Sequence, residues 1–124
     1  MKIAIGIPAF NEENNIGPII TNLKKKYDHI LVCDDGSSDS TADIASKMGA
    51  HVVKHSKNQG YGSAIKTIFN EAKKIDCNIL VTFDADGQHQ ISEIDDMLKP
   101  IMENIADIVI GSRFLGKTKN LPKY

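Results

Sequence analysis

Tryptophan is absent, aromatic residues of any kind make up 6% of the chain, and there are two cysteines and four prolines in 124 residues. Two cysteines cannot build the disulfide framework on which small secreted domains depend, and Cys33 and Cys77 lie far apart with no Cys-x-x-Cys spacing for zinc. With no secretory leader ahead of them, they fit a reducing cytoplasm. Long apolar runs are also missing: residues 2–7 and 79–83 fall far short of the roughly 20 needed to span a bilayer, so no transmembrane segment is expected in this chain. An excess of either charge is lacking too, with 15 Lys and Arg against 16 Asp and Glu and a formal net charge of -1. A chain so balanced has no basic field for nucleic acid. Repeats, low-complexity stretches and linkers are not found, so residues 1–124 are read as one domain.

What is present is the composition of a globular protein, 41% hydrophobic and 25% charged. Apolar runs rich in Ile and Val recur at residues 3–7, 30–32, 51–53, 79–83 and 108–110, each separated by a helix-length segment. The runs are continuous rather than alternating, as in strands buried on both faces, so the pattern predicts an α/β fold of βαβαβαβαβ order with a mostly parallel sheet flanked by helices. The first helix carries Ile16, Ile19, Ile20 and Leu23 at helical spacing and closes on Lys24-Lys25-Lys26, which suit the negative end of the helix dipole. The second is capped by Asp39 and Ser40, turns Ile44, Ala45 and Met48 inward and ends at Gly49 in a left-handed cap. The third covers residues 63–74 with Ile65, Ile68, Phe69 and Ala72 inward. Ser92 caps a fourth carrying Ile94, Met97, Leu98 and Ile101, kinked at Pro100. The polar tail 116–124 adds no element, and the length is short for an enzyme with two substrates. The chain is therefore expected to be the N-terminal portion of a longer protein.

In such a sheet the ligand lies beyond the carboxyl ends of the strands, which makes the residues after each apolar run the informative ones. Four of the five predicted ends carry chemistry: Pro8-Ala9-Phe10-Asn11-Glu12, Asp34-Asp35-Gly36-Ser37, Asp84-Ala85-Asp86-Gly87-Gln88-His89 and Gly111-Ser112-Arg113. In the third of these, two carboxylates and an amide oxygen spaced two apart can converge on one hard cation, Mg²⁺ or Mn²⁺; an acidic turn accounts for the same residues. Asp34-Asp35-Gly36-Ser37 offers a carboxylate to a nucleoside, or simply enters a helix. Asn58-Gln59-Gly60-Tyr61-Gly62-Ser63 opens a helix with amides that can meet phosphate, although Ile65 stands where a dinucleotide fingerprint needs its third glycine. Arg113 can fork onto a phosphate or form a surface ion pair. His29, His51 and His55 read as structural; only His89 sits beside a loaded loop.

Taken together and in this order, Pro8-Ala9-Phe10-Asn11-Glu12, Asp34-Asp35-Gly36-Ser37, Gly60-Tyr61-Gly62-Ser63-Ala64, Asp84-Ala85-Asp86-Gly87-Gln88-His89 and Gly111-Ser112-Arg113 resemble family 2 glycosyltransferases, most closely the dolichol-phosphate mannosyltransferase branch. The resemblance implies a Rossmann-like, nucleotide-sugar-binding domain of GT-A type. It implies that Pro8, Phe10, Glu12, Cys33 and Asp35 hold the nucleoside and that Asp84 and Ala85 meet the ribose and diphosphate. Asp84, Asp86 and Gln88 would be the metal ligands, with Asp86 and Arg113 carrying catalysis and Arg113 on a phosphate. The reaction implied is metal-dependent, inverting transfer from a nucleoside diphosphate sugar of the GDP-mannose or UDP-glucose type to a polyprenyl phosphate, at the cytoplasmic face of a membrane in the full-length protein.

Gln90 and Ile91 depart from the branch, which usually has proline after the His. Two other readings compete. Phe83-Asp84-Ala85-Asp86-Gly87 also suits a haloacid-dehalogenase-like phosphatase with a nucleophilic Asp, but that motif belongs near the start of a chain and leaves Asp34-Asp35-Gly36-Ser37 without a role. A donor-binding module without transfer activity uses the same residues as the enzyme.

Overall fold

The computed structural model describes residues 2–85 together with Ile94, Asp96 and Leu98. The chain runs β1 (Ile3–Ala9), α1 (Ile16–Lys24), β2 (His29–Asp34), α2 (Thr41–Lys47), β3 (His51–Lys54), α3 (Tyr61–Lys74) and β4 (Ile79–Thr82). The strands form one parallel sheet in the order β3-β2-β1-β4. β1 is central because it is buried along nearly its whole length, whereas β3 at the edge is short, half-exposed and ends on Lys54, a charge that discourages further pairing. The predicted strand at 108–110, Ser92, Pro100 and the tail lie outside the described residues.

Alternation along the strands sorts their side chains onto two faces. Ile5, Ile7, Ile30, Val32, Ile79 and Val81 pack under α1 and α2, with Ile16, Ile20 and Leu23 of α1 and Ala45 of α2. Ile94 and Leu98, helical and one turn apart as the sequence predicts, are buried in that same cluster. The opposite face, Ala4, Leu31, Cys33 and Leu80, is covered by α3 through Ala64, Ile68 and Ala72 at a strict four-residue spacing. α3 must change sides: the chain goes from β1 outward to β2 and β3, then returns past β1 to β4, and a right-handed crossover in that reversed direction puts the helix on the other face. It sits close because Gly6 of β1 lies under it, where a Cβ would meet Ile68 Cγ2 at 2.4 Å.

Two expectations on helix faces need correction. Met48 is 40% exposed, because α2 ends at Lys47 and its buried stripe is Thr41, Ala42 and Ala45. Ile65 is half-buried and outside the α3 core, which uses the smaller Ala64 one position earlier. Ser40 stands at the N-cap of α2 without a side-chain cap bond, while Asp39 Oδ1 accepts from Thr41 N at 2.9 Å. Gly49 does adopt a left-handed φ of 96°.

Gly36 is the backbone position on which the site side of the fold turns. Its φ is 76°, and a Cβ there would lie 2.4 Å from Asn58 N and from the Lys57 carbonyl carbon. Left-handed backbone costs a residue with a Cβ about 1–2 kcal/mol before any clash is counted. Gly36→Ala should therefore lower the urea-unfolding free energy by more than about 2 kcal/mol, since backbone rather than a flexible side chain would have to move. Gly62 in the first turn of α3 has open space around its Cβ position. Gly62→Ala should raise stability by about 0.5–1 kcal/mol in the same measurement.

Candidate functional site

Strand order reverses between β1 and β4, so the connections leaving their carboxyl ends diverge and open a crevice. A cleft of about 290 Å³ lies there. Pro8, Phe10 and Glu12 come to it from the end of β1, Asp35 from β2, Asn58, Gly60 and Tyr61 from the segment between β3 and α3, and Asp84 and Ala85 from β4. Small side chains, Ala9, Ala64 and Ala85, line it further. Phe10 and Tyr61 are 46% and 47% exposed, so two large aromatic rings stand at the cleft half in water, where burial against a ligand is still to be gained.

Asp35 is the cleft carboxylate held by hydrogen bonds on both oxygens. Its amide donates to Ala9 O at 2.8 Å, extending the β1–β2 ladder one residue past the strand and fixing the carboxylate at the strand ends. Asp35 Oδ1 accepts from His55 Nδ1 at 2.8 Å and from Gln59 N at 2.9 Å, and Oδ2 accepts from Gly60 N at 2.9 Å. Burial pushes its pKa up, but the Gln59 amide, the His55 imidazole and the Gly60 amide together outweigh it and hold the carboxyl below the ordinary value. The carboxylate is thus an anion at neutral pH, with acceptor capacity left on each oxygen. The glycine loop was expected to offer its amides to phosphate; two of them are instead spent on Asp35.

The wall formed by β1 is fixed by a second set of bonds. Asn11, at a φ of 54°, receives Ser38 N on Oδ1 at 2.9 Å and donates its own amide to Ser37 Oγ at 2.8 Å. Glu12 N donates to Thr41 Oγ1 at 2.9 Å, and Glu13 N to Asp39 Oδ2 at 3.2 Å. The loops after β1 and β2 are in this way one rigid unit. Glu12 Oε1 accepts from Asn15 Nδ2 at 3.0 Å, which steers the Glu12 side chain.

Asp84 is buried just past β4, and its Oδ1 accepts from Tyr61 Oη at 3.3 Å. A carboxylate at the cleft is a hard oxygen donor of the kind Mg²⁺ and Mn²⁺ take, so this position fits a divalent cation. Asp86, Gln88 and Arg113 lie outside the described residues. Of the remaining predicted site residues, Pro8, Phe10, Glu12, Asp35, Asp84 and Ala85 come together around the one cleft. Cys33 does not line it. Strand parity turns Cys33 onto the α3 face, fully buried, with its thiol 3.6 Å from His55 Nε2 and its pKa pushed up to about 11 by burial first and by Asp35 next. The same parity separates the twin carboxylates: Asp34 is buried away from the cleft, taking Ser37 N on Oδ1 at 3.1 Å. Two contributors were missed. His55 read as structural because it shows no metal-ligand spacing and sits ahead of the glycine loop rather than in it, and Tyr61 was hidden inside that loop's pattern. The signal for His55 was its place directly after an apolar run, the criterion already applied to the other strand ends.

Against known proteins, the profile of glycosyl transferase family 2 matches residues 4–124. The chain is 35% identical over 136 residues to the UDP-N-acetylglucosamine--dolichyl-phosphate N-acetylglucosaminyltransferase of Methanococcus voltae, covering 94% of this chain and 54% of that protein. It is 33% identical over 134 residues to the dolichol-phosphate mannosyltransferase of Pyrococcus furiosus, covering 100% of this chain and 37% of that one. Glucosyl-3-phosphoglycerate synthase from Mycobacterium tuberculosis, solved with Mn²⁺, UDP and glucosyl-3-phosphoglycerate, superposes with a TM-score of 0.67 at 25% identity, over 81% of this chain and 39% of that one. The chain spans about half the length, or less, of these relatives. The parallel sheet with flanking helices is thus the GT-A fold, and the position of Asp84 after β4 removes the dehalogenase-like reading.

Because the folded-state pKa of Asp35 is depressed below 3.8, its contribution to stability is in place above about pH 4 and is lost as the pH falls from there through the folded value. Asp35→Asn should therefore cost about 1–3 kcal/mol of unfolding free energy at pH 7. In urea titrations at a series of pH values, the gap between the two proteins should stay flat down to about pH 5 and narrow below about pH 4.

Proposed function

Given that this chain belongs to glycosyl transferase family 2, we propose that the cleft is the donor site of a glycosyltransferase, with the base of a nucleoside diphosphate sugar at Asp35 and its diphosphate toward Asp84. The observation that carries the reading is the placing of these two carboxylates, one anionic and rigidly held, the other a hard donor, in a single cleft at the strand-order reversal. An ionised carboxylate only accepts hydrogen bonds; uracil and guanine present a ring N–H on the pairing edge, where adenine and cytosine have a bare ring nitrogen that would face the anion lone pair to lone pair, so Asp35 favours uracil and guanine. The exposed ring of Phe10 offers a stacking surface beside it.

Asp84, with Asp86 and Gln88 of the same motif, would hold Mg²⁺ or Mn²⁺, which when bound neutralises charge on the departing diphosphate. Support for a metal comes from the M. tuberculosis synthase, solved with Mn²⁺ or with Mg²⁺ beside UDP. The chain's own part is to orient: Tyr61 donates to Asp84, the alanines keep the floor apolar, and Arg113 is assigned to a phosphate. For the acceptor we take a polyprenyl phosphate, the chemistry in the names of the two archaeal relatives, and we take the transfer to invert the sugar, as the family resemblance implies. A phosphate monoester with a second pKa of about 6 is already an anionic nucleophile at neutral pH and needs no strong general base. Such an acceptor puts the working enzyme at a membrane surface, on the cytoplasmic side in this reading. Among the described residues no helix is long and apolar enough to cross a membrane.

The test is calorimetric titration of UDP and GDP into the full-length protein with Mn²⁺, Mg²⁺ or chelator, followed by transfer of labelled sugar to a short polyprenyl phosphate. One nucleotide should bind, and chelator should weaken it. Asp84→Asn should remove the metal dependence, and Asp35→Asn should weaken binding about tenfold even with metal present. Failure of both nucleotides under every metal condition would sink the donor-site reading.

A further inference from the structure

His55 lies directly after β3, its side chain 10% exposed, and touches groups from two elements. Its Nδ1 is 2.8 Å from Asp35 Oδ1. On the other side of the ring, Nε2 is 2.8 Å from Thr67 Oγ1 on α3 and 3.6 Å from Cys33 Sγ on β2. The chemistry of these neighbours selects one tautomer. Asp35 is an anion and can only accept, so the ring proton belongs on Nδ1. That leaves Nε2 as an acceptor, and both neighbours on its side can donate: the Thr67 hydroxyl, and the Cys33 thiol, which stays protonated because burial raises its pKa to about 11.

We infer that His55 is a positioning residue for the donor site: held as the Nδ1–H tautomer by Thr67 and Cys33, it aims the Asp35 carboxylate at the nucleoside and ties that aim to α3. The inference rests on the donor-site reading. The Gln59 and Gly60 amides approach Asp35 from the loop, but His55 is the one side chain donating to it among the described residues. Without His55 the carboxylate keeps its charge and its loop contacts and loses the restraint across its Oδ1. The expected consequence falls on nucleotide affinity and not on the chemistry that follows.

Replacement by two amides separates positioning from packing. The amide nitrogen of Asn reaches about as far as Nδ1 and can still donate to Asp35; that of Gln reaches the Nε2 side and cannot do so from the same place. In the full-length protein with Mn²⁺, UDP and GDP would be titrated into the wild type, His55→Asn, His55→Gln, and His55→Gln in an Asp35→Asn background. His55→Gln should weaken the bound nucleotide about tenfold, the loss expected for one hydrogen bond to a charged group, and His55→Asn should restore most of that affinity. In the Asp35→Asn background His55→Gln should cause little further loss. Equal losses for Asn and Gln, no loss for either, or a full loss persisting without the Asp35 charge would overturn the inference. A wild type that binds neither nucleotide fails the donor-site reading itself, and the inference with it.

Two further measurements do not depend on the Gln variant folding or on a ligand. Nitrogen NMR of the histidine ring should place the proton of the neutral ring on Nδ1; a neutral ring protonated at Nε2 overturns the assignment whatever the binding data. Thr67→Val leaves the ring in place and takes away one donor to Nε2, so it should weaken nucleotide binding by about threefold, a smaller loss than removing the bond to the carboxylate itself. Unchanged affinity in that variant would remove Thr67 from the relay.

Discussion

The cleft depends on the burial of one charge. Asp35 is 4% exposed, and an ionised carboxylate that far from water is tolerable only if donors replace its hydration. The Gln59 and Gly60 amides and His55 do so, and each belongs to the segment between β3 and α3. The same bonds solve a problem for α3, which has no acidic residue in its first turn and no side-chain cap at Gly60. Asp35 provides from a neighbouring strand the negative charge that the helix N-terminus favours. Burial of the anion and ordering of the loop are therefore one event, and neither side of the contact is stable in that form alone.

The sheet decides where this can happen. Parallel strands put every carboxyl end on the same edge, and the reversal of order between β1 and β4 leaves a gap there that no connection among the described residues crosses. α3 on the far face then brings Tyr61 toward Asp84 while its body packs over Gly6. A bulkier residue at position 6 would lift the helix, and with it the loop that satisfies Asp35. Core packing and site geometry are in this sense the same constraint, transmitted through a helix that is rigid along its length.

What the sequence discloses follows from what its signals measure. Apolar runs report burial on both faces, so the four described strands, the helices between them and the grouping of loaded loops at one edge were all readable. Helix ends were less so: Met48 has the period of an inward residue, but α2 stops before reaching it. The site was legible as a set of loops and illegible as a set of partners. Nothing local distinguishes Asp34 from Asp35; strand parity and the turn at Gly36 do, by burying one carboxylate against the Ser37 amide and bringing the other to the cleft. Nothing local links His55 to Asp35 either, since the two come from adjacent strands whose register is set by the whole sheet.

Rigidity of this kind bears on how the donor would be chosen. Asp35 cannot rotate to suit a ligand without giving up bonds to the loop or the imidazole, so a base must bring its N–H groups to oxygens already in place. A base whose pairing edge turns a bare ring nitrogen to those oxygens leaves a buried anion facing an unmatched edge, a loss greater than that of a missing hydrogen bond in water. Discrimination between nucleotides that both carry an N–H falls instead to shape, to the gap between Phe10 and the segment carrying Asn58. In the donor-site reading the fixed carboxylate would set the class of base, and the half-exposed rings of Phe10 and Tyr61 the member of that class.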